Sequence, residues 1–135
     1  MAAMSDYLEQ AILNHLRGTA FPAVPTNFFV GLYSTATDDA GGGTELTGNG
    51  YARVQVSPAT GSWSAPGVGG NVTNAVEIAF PAATGSPWST ATHFAIHDLS
   101  TGGNRYYHGA LTASKTAAVG DVIRFAIGAL SITLA

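Results

Sequence analysis

After Pro25 the chain breaks into short runs, none longer than eight residues, in which apolar side chains alternate at period two and glycine-rich turns intervene. Successive strand side chains point to opposite faces, so this pattern selects half-buried β-strands and excludes a helical body. The runs are residues 27–34, 51–57, 75–80, 92–99, 105–111, 121–127 and 130–134. In the first, Phe28, Val30 and Leu32 oppose Phe29 and Tyr33. In the second, Ala52, Val54 and Val56 face inward and Tyr51, Arg53 and Gln55 outward. In the third, Val76, Ile78 and Phe80 oppose Ala75, Glu77 and Ala79. A loop ending in Gly102-Gly103-Asn104 joins the fourth and fifth runs as a hairpin, and Gly128-Ala129 forms a tight turn or bulge between the last two. Seven short strands predict a mainly β fold, an antiparallel β-sandwich of jelly-roll type over residues 27–134, within a single domain of residues 1–135.

Only residues 5–17 carry a helical period. Leu8, Ala11, Ile12 and Leu16 fall at i, i+3, i+4 and i+8, one face of an amphipathic helix. Asp6 and Glu9 match a D-x-x-E form of the capping box, and Gly18 is placed at C′ after Arg17. Pro22 and Pro25 prevent the helix from resuming. Such a helix either covers an open face of its own sheet or docks on a neighbouring subunit, with Leu8, Ile12 and Leu16 as candidate assembly contacts. Removing residues 1–18 separates these roles: a surviving fold marks docking, and loss of the fold marks covering.

Two long connections, residues 35–50 and 58–74, join the early strands; loops of this length inside a small domain are usually functional or mobile. Charge is sparse. Five Lys/Arg and eight Asp/Glu make 10 % of the chain, against about 25 % in an average soluble protein. Five scattered cations and a net charge of −3 supply no basic stripe, so no nucleic-acid partner is expected. No apolar run approaches the ~18–20 residues of a membrane span, so no membrane insertion is expected. No Lys or Arg precedes an apolar stretch at the start, so no signal peptide is expected. The absence of cysteine removes disulfides, thiolate metal sites and a cysteine nucleophile. In residues 122–127, apolar groups lie on both sides of a strand that also carries Arg124. With so little charge elsewhere, this points to burial against further copies of the chain.

No constellation for catalysis emerges. His93 and His97 have the i, i+4 spacing of a helical zinc pair, yet on a strand they lie ~13 Å apart and cannot share an ion. Asp98 follows His97 directly and points to the opposite face, so the two cannot act as a triad pair. No G-x-S-x-G elbow occurs. Asp38, Asp39 and Glu45 share a glycine-rich loop that could offer oxygen ligands to calcium, but their spacing fits no EF-hand. We therefore expect no enzyme, no catalytic residue, no cofactor and no bound metal. Trp63 and Trp88 sit among Ser, Pro and Gly. Together with Asp38 and Asp39 they are candidate loop surface contacts, the tryptophans either stacking on sugar or capping the core.

The chain resembles a family of short bacteriophage virion proteins labelled phage tail fibre proteins. The resemblance is carried by Asp6-Tyr7-Leu8-Glu9, Leu13-Asn14-His15 and Arg17-Gly18-Thr19 in the helix, then by Val30-Gly31-Leu32-Tyr33, Gly43-Thr44-Glu45 and Gly50-Tyr51-Ala52-Arg53. It continues through Phe80-Pro81, Trp88-Ser89-Thr90-Ala91-Thr92-His93-Phe94, Thr101-Gly102-Gly103-Asn104, Gly109-Ala110-Leu111 and Ser114-Lys115-Thr116. It ends with Gly120-Asp121, Arg124-Phe125 and Leu130-Ser131-Ile132-Thr133-Leu134. It is least evident in residues 58–70. It implies a non-enzymatic virion structural protein, a tail fibre, adaptor or knob assembled in the bacterial host cytoplasm. The partners implied are other virion proteins of tail, baseplate or capsid, further copies in a homo-oligomer such as a trimer, and a host-surface glycan. Heptads and β-helical repeats of an extended shaft are missing. The alternatives are a capsid decoration (cement) protein and a carbohydrate-binding β-sandwich module; the first differs in its position on the particle, the second in losing saccharide binding on Trp63→Ala or Trp88→Ala.

Overall fold

A computed structural model describes residues 2–134. Its elements are β1 (Ala2–Met4), α1 (Asp6–Leu16), β2 (Phe28–Tyr33), β3 (Val54–Val56), β4 (Asn71–Thr73), β5 (Ile78–Ala79), β6 (Ala91–His97), β7 (Arg105–Lys115), β8 (Arg124–Phe125) and β9 (Ser131–Thr133). The fold is mainly β with one N-terminal helix, as the periodicity predicts. Every pairing is antiparallel. Five strands form one sheet in the order β1-β7-β6-β2-β3, while β4 pairs with β9 and β5 with β8 as two short ribbons.

Register places the core. Val30 lies opposite Ile96 and Leu32 opposite Phe94, so four large apolar side chains share one sheet face, spaced at period two on each strand. That face meets Ile78 and Phe80, Phe125 of β8, and Ile132 of β9 in one buried cluster. The ribbons thus stand where a second full sheet was expected. Runs 75–80 and 121–127 contract to two paired residues each, and Val76 is left exposed.

Two further expectations are corrected. Tyr51 turns inward and Ala52 is exposed. The reason is the Tyr51 hydroxyl, which accepts the Leu32 N–H at 2.9 Å and donates to Glu45 Oε1 at 2.9 Å, while its ring stacks beside Phe80. Trp88 is 6 % exposed and so is no surface contact. Its ring meets Tyr51 edge to face at 5.4 Å, and its Nε1–H donates to the Asn49 carbonyl at 2.8 Å. Such an amphipathic ring gains most when the indole N–H finds a partner under cover; Trp88 caps the core.

Asn74 ties the ribbons together. It is fully buried, its Nδ2 donates to the carbonyls of Val76 (2.8 Å) and Ala126 (2.9 Å), and its Oδ1 accepts the Leu130 N–H at 2.9 Å. Its backbone exchanges bonds with Leu130 and Gly128. Asn74→Ala leaves buried backbone groups without partners, each costing about 1–3 kcal/mol. We expect a loss of about 3 kcal/mol in urea unfolding, against under about 1 kcal/mol for Asn71→Ala, whose side chain bonds hydroxyls at the rim.

Candidate functional site

The helix is fixed at its start. Ser5, not Asp6, is the N-cap: its backbone is extended (φ −82°, ψ 161°) and its Oγ accepts the Leu8 N–H at 3.3 Å. Asp6 and Glu9 lie in the first turn, where the helix dipole favours carboxylates. Ser5 is buried, its N–H donates to the Tyr106 carbonyl at 3.0 Å, and its hydroxyl donates to the Arg105 carbonyl. The Asp6 N–H donates to the Asp39 carbonyl at 3.0 Å. Three short bonds therefore clamp the first residues of α1 to β7 and to the loop after β2.

That loop is itself pinned to the outer face of the sheet. Arg105 donates through one nitrogen to the carbonyls of Asp38 (2.8 Å) and Gly42 (2.9 Å), and its guanidinium lies 5.0 Å from the centre of the Tyr33 ring. His108 bonds Asp39 Oδ1 at 2.7 Å and Thr37 Oγ1 at 3.0 Å through its two ring nitrogens. Glu45 accepts from Arg53 Nε at 2.7 Å and from its terminal nitrogen at 2.8 Å, a bidentate pair. Arg53 also donates to the carbonyls of Leu99 and Gly102. Gly31 makes room for this pair, since a Cβ there would stand 2.8 Å from Glu45 Oε1. Burial works to raise the Glu45 carboxyl, but the Arg53 hydrogen bonds and charge outweigh it and hold it below the usual carboxylate range. Burial lowers the His97 imidazole to about 4, helped by the charges of Arg53 and Arg105; the neutral ring bonds the Tyr33 hydroxyl through Nε2 at 2.9 Å.

The far side of the helix is bare. Its contact face is Tyr7, Ala11 and Asn14, at i, i+4 and i+7, with the Tyr7 ring edge-on to Tyr106 at 5.3 Å. The opposite face carries Ile12 (42 % exposed), Leu13 (64 %) and Leu16 (87 %). Leu8 is half-buried at the base of the helix. The predicted stop at Gly18 is present as a Schellman motif: Gly18 (φ +83°) donates to the His15 carbonyl and Thr19 to that of Asn14. Beyond it, residues 17–24 are all exposed, including Phe21 and Val24.

The other predicted contacts are dispersed. Trp63 is half-buried and lines an apolar cavity of about 200 Å³ with Phe28, Ile96, Tyr107, Ile132 and Leu134. With Trp88 buried, the two tryptophans form no shared stacking platform. Asp38 accepts the Gly42 N–H at 2.6 Å, Asp39 holds His108, and Glu45 holds Arg53, so the three carboxylates do not converge on a cation. His97 is buried; the loop over the outer sheet face covers it. Leu13 was missed because the i, i+3, i+4 stripe of the sequence passes it by.

A mainly β domain with one N-terminal helix that bears an exposed apolar face is the class this arrangement defines. The family model described as Podophage GP4 fiber I protein gp80 matches residues 3–133. The chain belongs to this family: it is a bacteriophage tail-fibre protein, a non-enzymatic structural component of the virion. No curated protein matches it.

The clamp gives a pH signature. The folded value of His97 lies near 4, below the ordinary 6.5, so between those values the unfolded chain binds the extra proton. Its contribution to stability is full above about pH 6.5 and is lost as pH falls toward about 4. In NMR titration of the folded protein the His97 ring should show a midpoint near 4; a midpoint near 6.5 would place that ring in water.

Proposed function

We propose that α1 and the segment after it are the element by which this fibre protein is held in the tail, and that residues 1–135 act as one domain within a homo-oligomer. The observation that carries the reading is the face of Ile12, Leu13 and Leu16, turned away from the chain's own sheet on a helix whose start is clamped. Scattered exposed apolar residues are ordinary. A contiguous set on one rigid element, continued by Phe21 and Val24, is the composition of an interface core. The clamp keeps this face aimed in one direction, which lowers the ordering cost of association.

Fully burying one aliphatic side chain of this size contributes about 1.5–3 kcal/mol. Removing residues 1–18 is a poor test, because it also strips β1 and the buried Ser5 from the sheet. The triple variant Ile12→Ser, Leu13→Ser, Leu16→Ser changes exposed positions and spares the fold. It should keep its melting temperature within a few degrees and lose attachment by about a hundredfold or more, the equivalent of about 3 kcal/mol. Incorporation into particles, measured against the unchanged chain in a complementation assay, checks this; equal incorporation would remove the helix from the assembly.

A further inference from the structure

The charges that remain without partners lie at two places. Of the eight carboxylates, Glu45, Glu77 and Asp39 are paired with Arg53, Arg124 and His108, and Asp38, Asp98 and Asp121 accept N–H groups of their own loops. Among the described residues this leaves Asp6 and Glu9, both in the first turn of α1. Among the cations, Arg53 and Arg124 have carboxylates, Arg105 has carbonyls, and Arg17 bonds Asn14. Lys115, the only lysine of the chain, has no hydrogen-bonded partner among the described residues; its ammonium lies 5.0 Å from the centre of the Phe125 ring.

Lys115 stands at the end of a groove of about 410 Å³ walled by Phe94, Ala110, Leu111, Phe125 and Leu130. The groove follows the part of β7 that β1 leaves uncovered, since β1 pairs only with Tyr107, His108 and Gly109. Glu9, Ile12, Leu13 and Leu16 fall at i, i+3, i+4 and i+7, so the exposed apolar face of α1 carries one carboxylate. The groove is mixed, its apolar wall edged by the hydroxyls of Thr112, Ser131 and Thr133, and its single charge is opposite in sign to that of the helix face.

They cannot meet within one chain. Ser5 is bonded beside Tyr106, and Lys115 lies nine residues further along the strand, ~30 Å away at ~3.3 Å per residue. Glu9 is one helical turn from Ser5, ~6 Å at ~1.5 Å per residue. We infer that the groove between β7 and β9 receives α1 of a second copy of this chain, with Glu9 of one copy against Lys115 of the next. The inference rests on the reading of α1 as a docking element and names its host. A contact between two different patches is heterologous and builds a ring where the rotation closes.

Sedimentation velocity on the full chain at low salt tests this with Glu9→Lys at an exposed position, Lys115→Glu at a half-buried one, and the double reversal, each first shown to keep the melting temperature of the unchanged chain. The unchanged chain should associate with concentration, each single reversal should weaken that association fivefold or more, and the double should restore it to within twofold. Non-restoration by the double, or a chain that stays monomeric at every concentration, would overturn the inference. Particle incorporation separates the two readings. Normal incorporation of Lys115→Glu beside loss in the Ile12/Leu13/Leu16 triple variant refutes the groove alone, while normal incorporation of the triple variant refutes the docking helix itself.

Discussion

Arg105 is the residue on which the placement of the helix depends. Its carbonyl receives the Ser5 hydroxyl, and its guanidinium gathers the carbonyls of Asp38 and Gly42 under the face of Tyr33. The strand, the loop after β2 and the first turn of α1 thus meet at one buried cation. A buried guanidinium is tolerated where hydrogen bonds replace its lost water; here two backbone carbonyls serve one terminal nitrogen and the Tyr33 ring lies over the group, while Nε has no hydrogen-bond partner among the described residues. Because the same loop segment also accepts the Asp6 N–H through Asp39, the direction in which α1 leaves the body is fixed by the sheet and not by the helix's own packing.

This explains an otherwise odd division of the molecule. The inner face of the sheet is closed by the two ribbons, and much of its outer face is closed by the loop carrying Asp38, Asp39 and Glu45. The helix is left to cover only the end of β7, through Tyr7, Ala11 and Asn14. A chain with so few charges still has to end its surface somewhere, and half of its exposed large apolar side chains fall on α1 and the segment to Val24, the others being scattered singly over the loops and ribbons. In a fibre protein, which works as part of an assembly, the half on α1 and the segment after it is the surface we propose association covers.

The parts of the fold written in local periodicity were legible. The alternation in residues 27–34 and 92–99 located the strands that became β2 and β6 and set Val30 and Leu32 on one face of the first, and Arg17-Gly18 located the end of the helix. β1 was not, because Ala2-Ala3-Met4 is too short to show a period and becomes a strand only by pairing with β7. β4 lay hidden in a glycine-rich loop for the same reason. The burial of the outer sheet face was not legible, because Tyr33, His97, Arg105 and His108 look like the solvent side of a half-buried strand. Only the covering loop, a tertiary event, shows them buried. At the candidate site, Leu8, Ala11, Ile12 and Leu16 located the helix, but which side faces out depended on the contacts of Tyr7 and Asn14, which carry no sequence signal.

The most direct measurement is a reconstruction of the intact tail at a resolution that shows side chains around α1. The account predicts α1 against protein, with Ile12, Leu13 and Leu16 covered and Ser5 still bonded to β7. A helix standing in solvent on the assembled particle, with those three side chains uncovered, would contradict it.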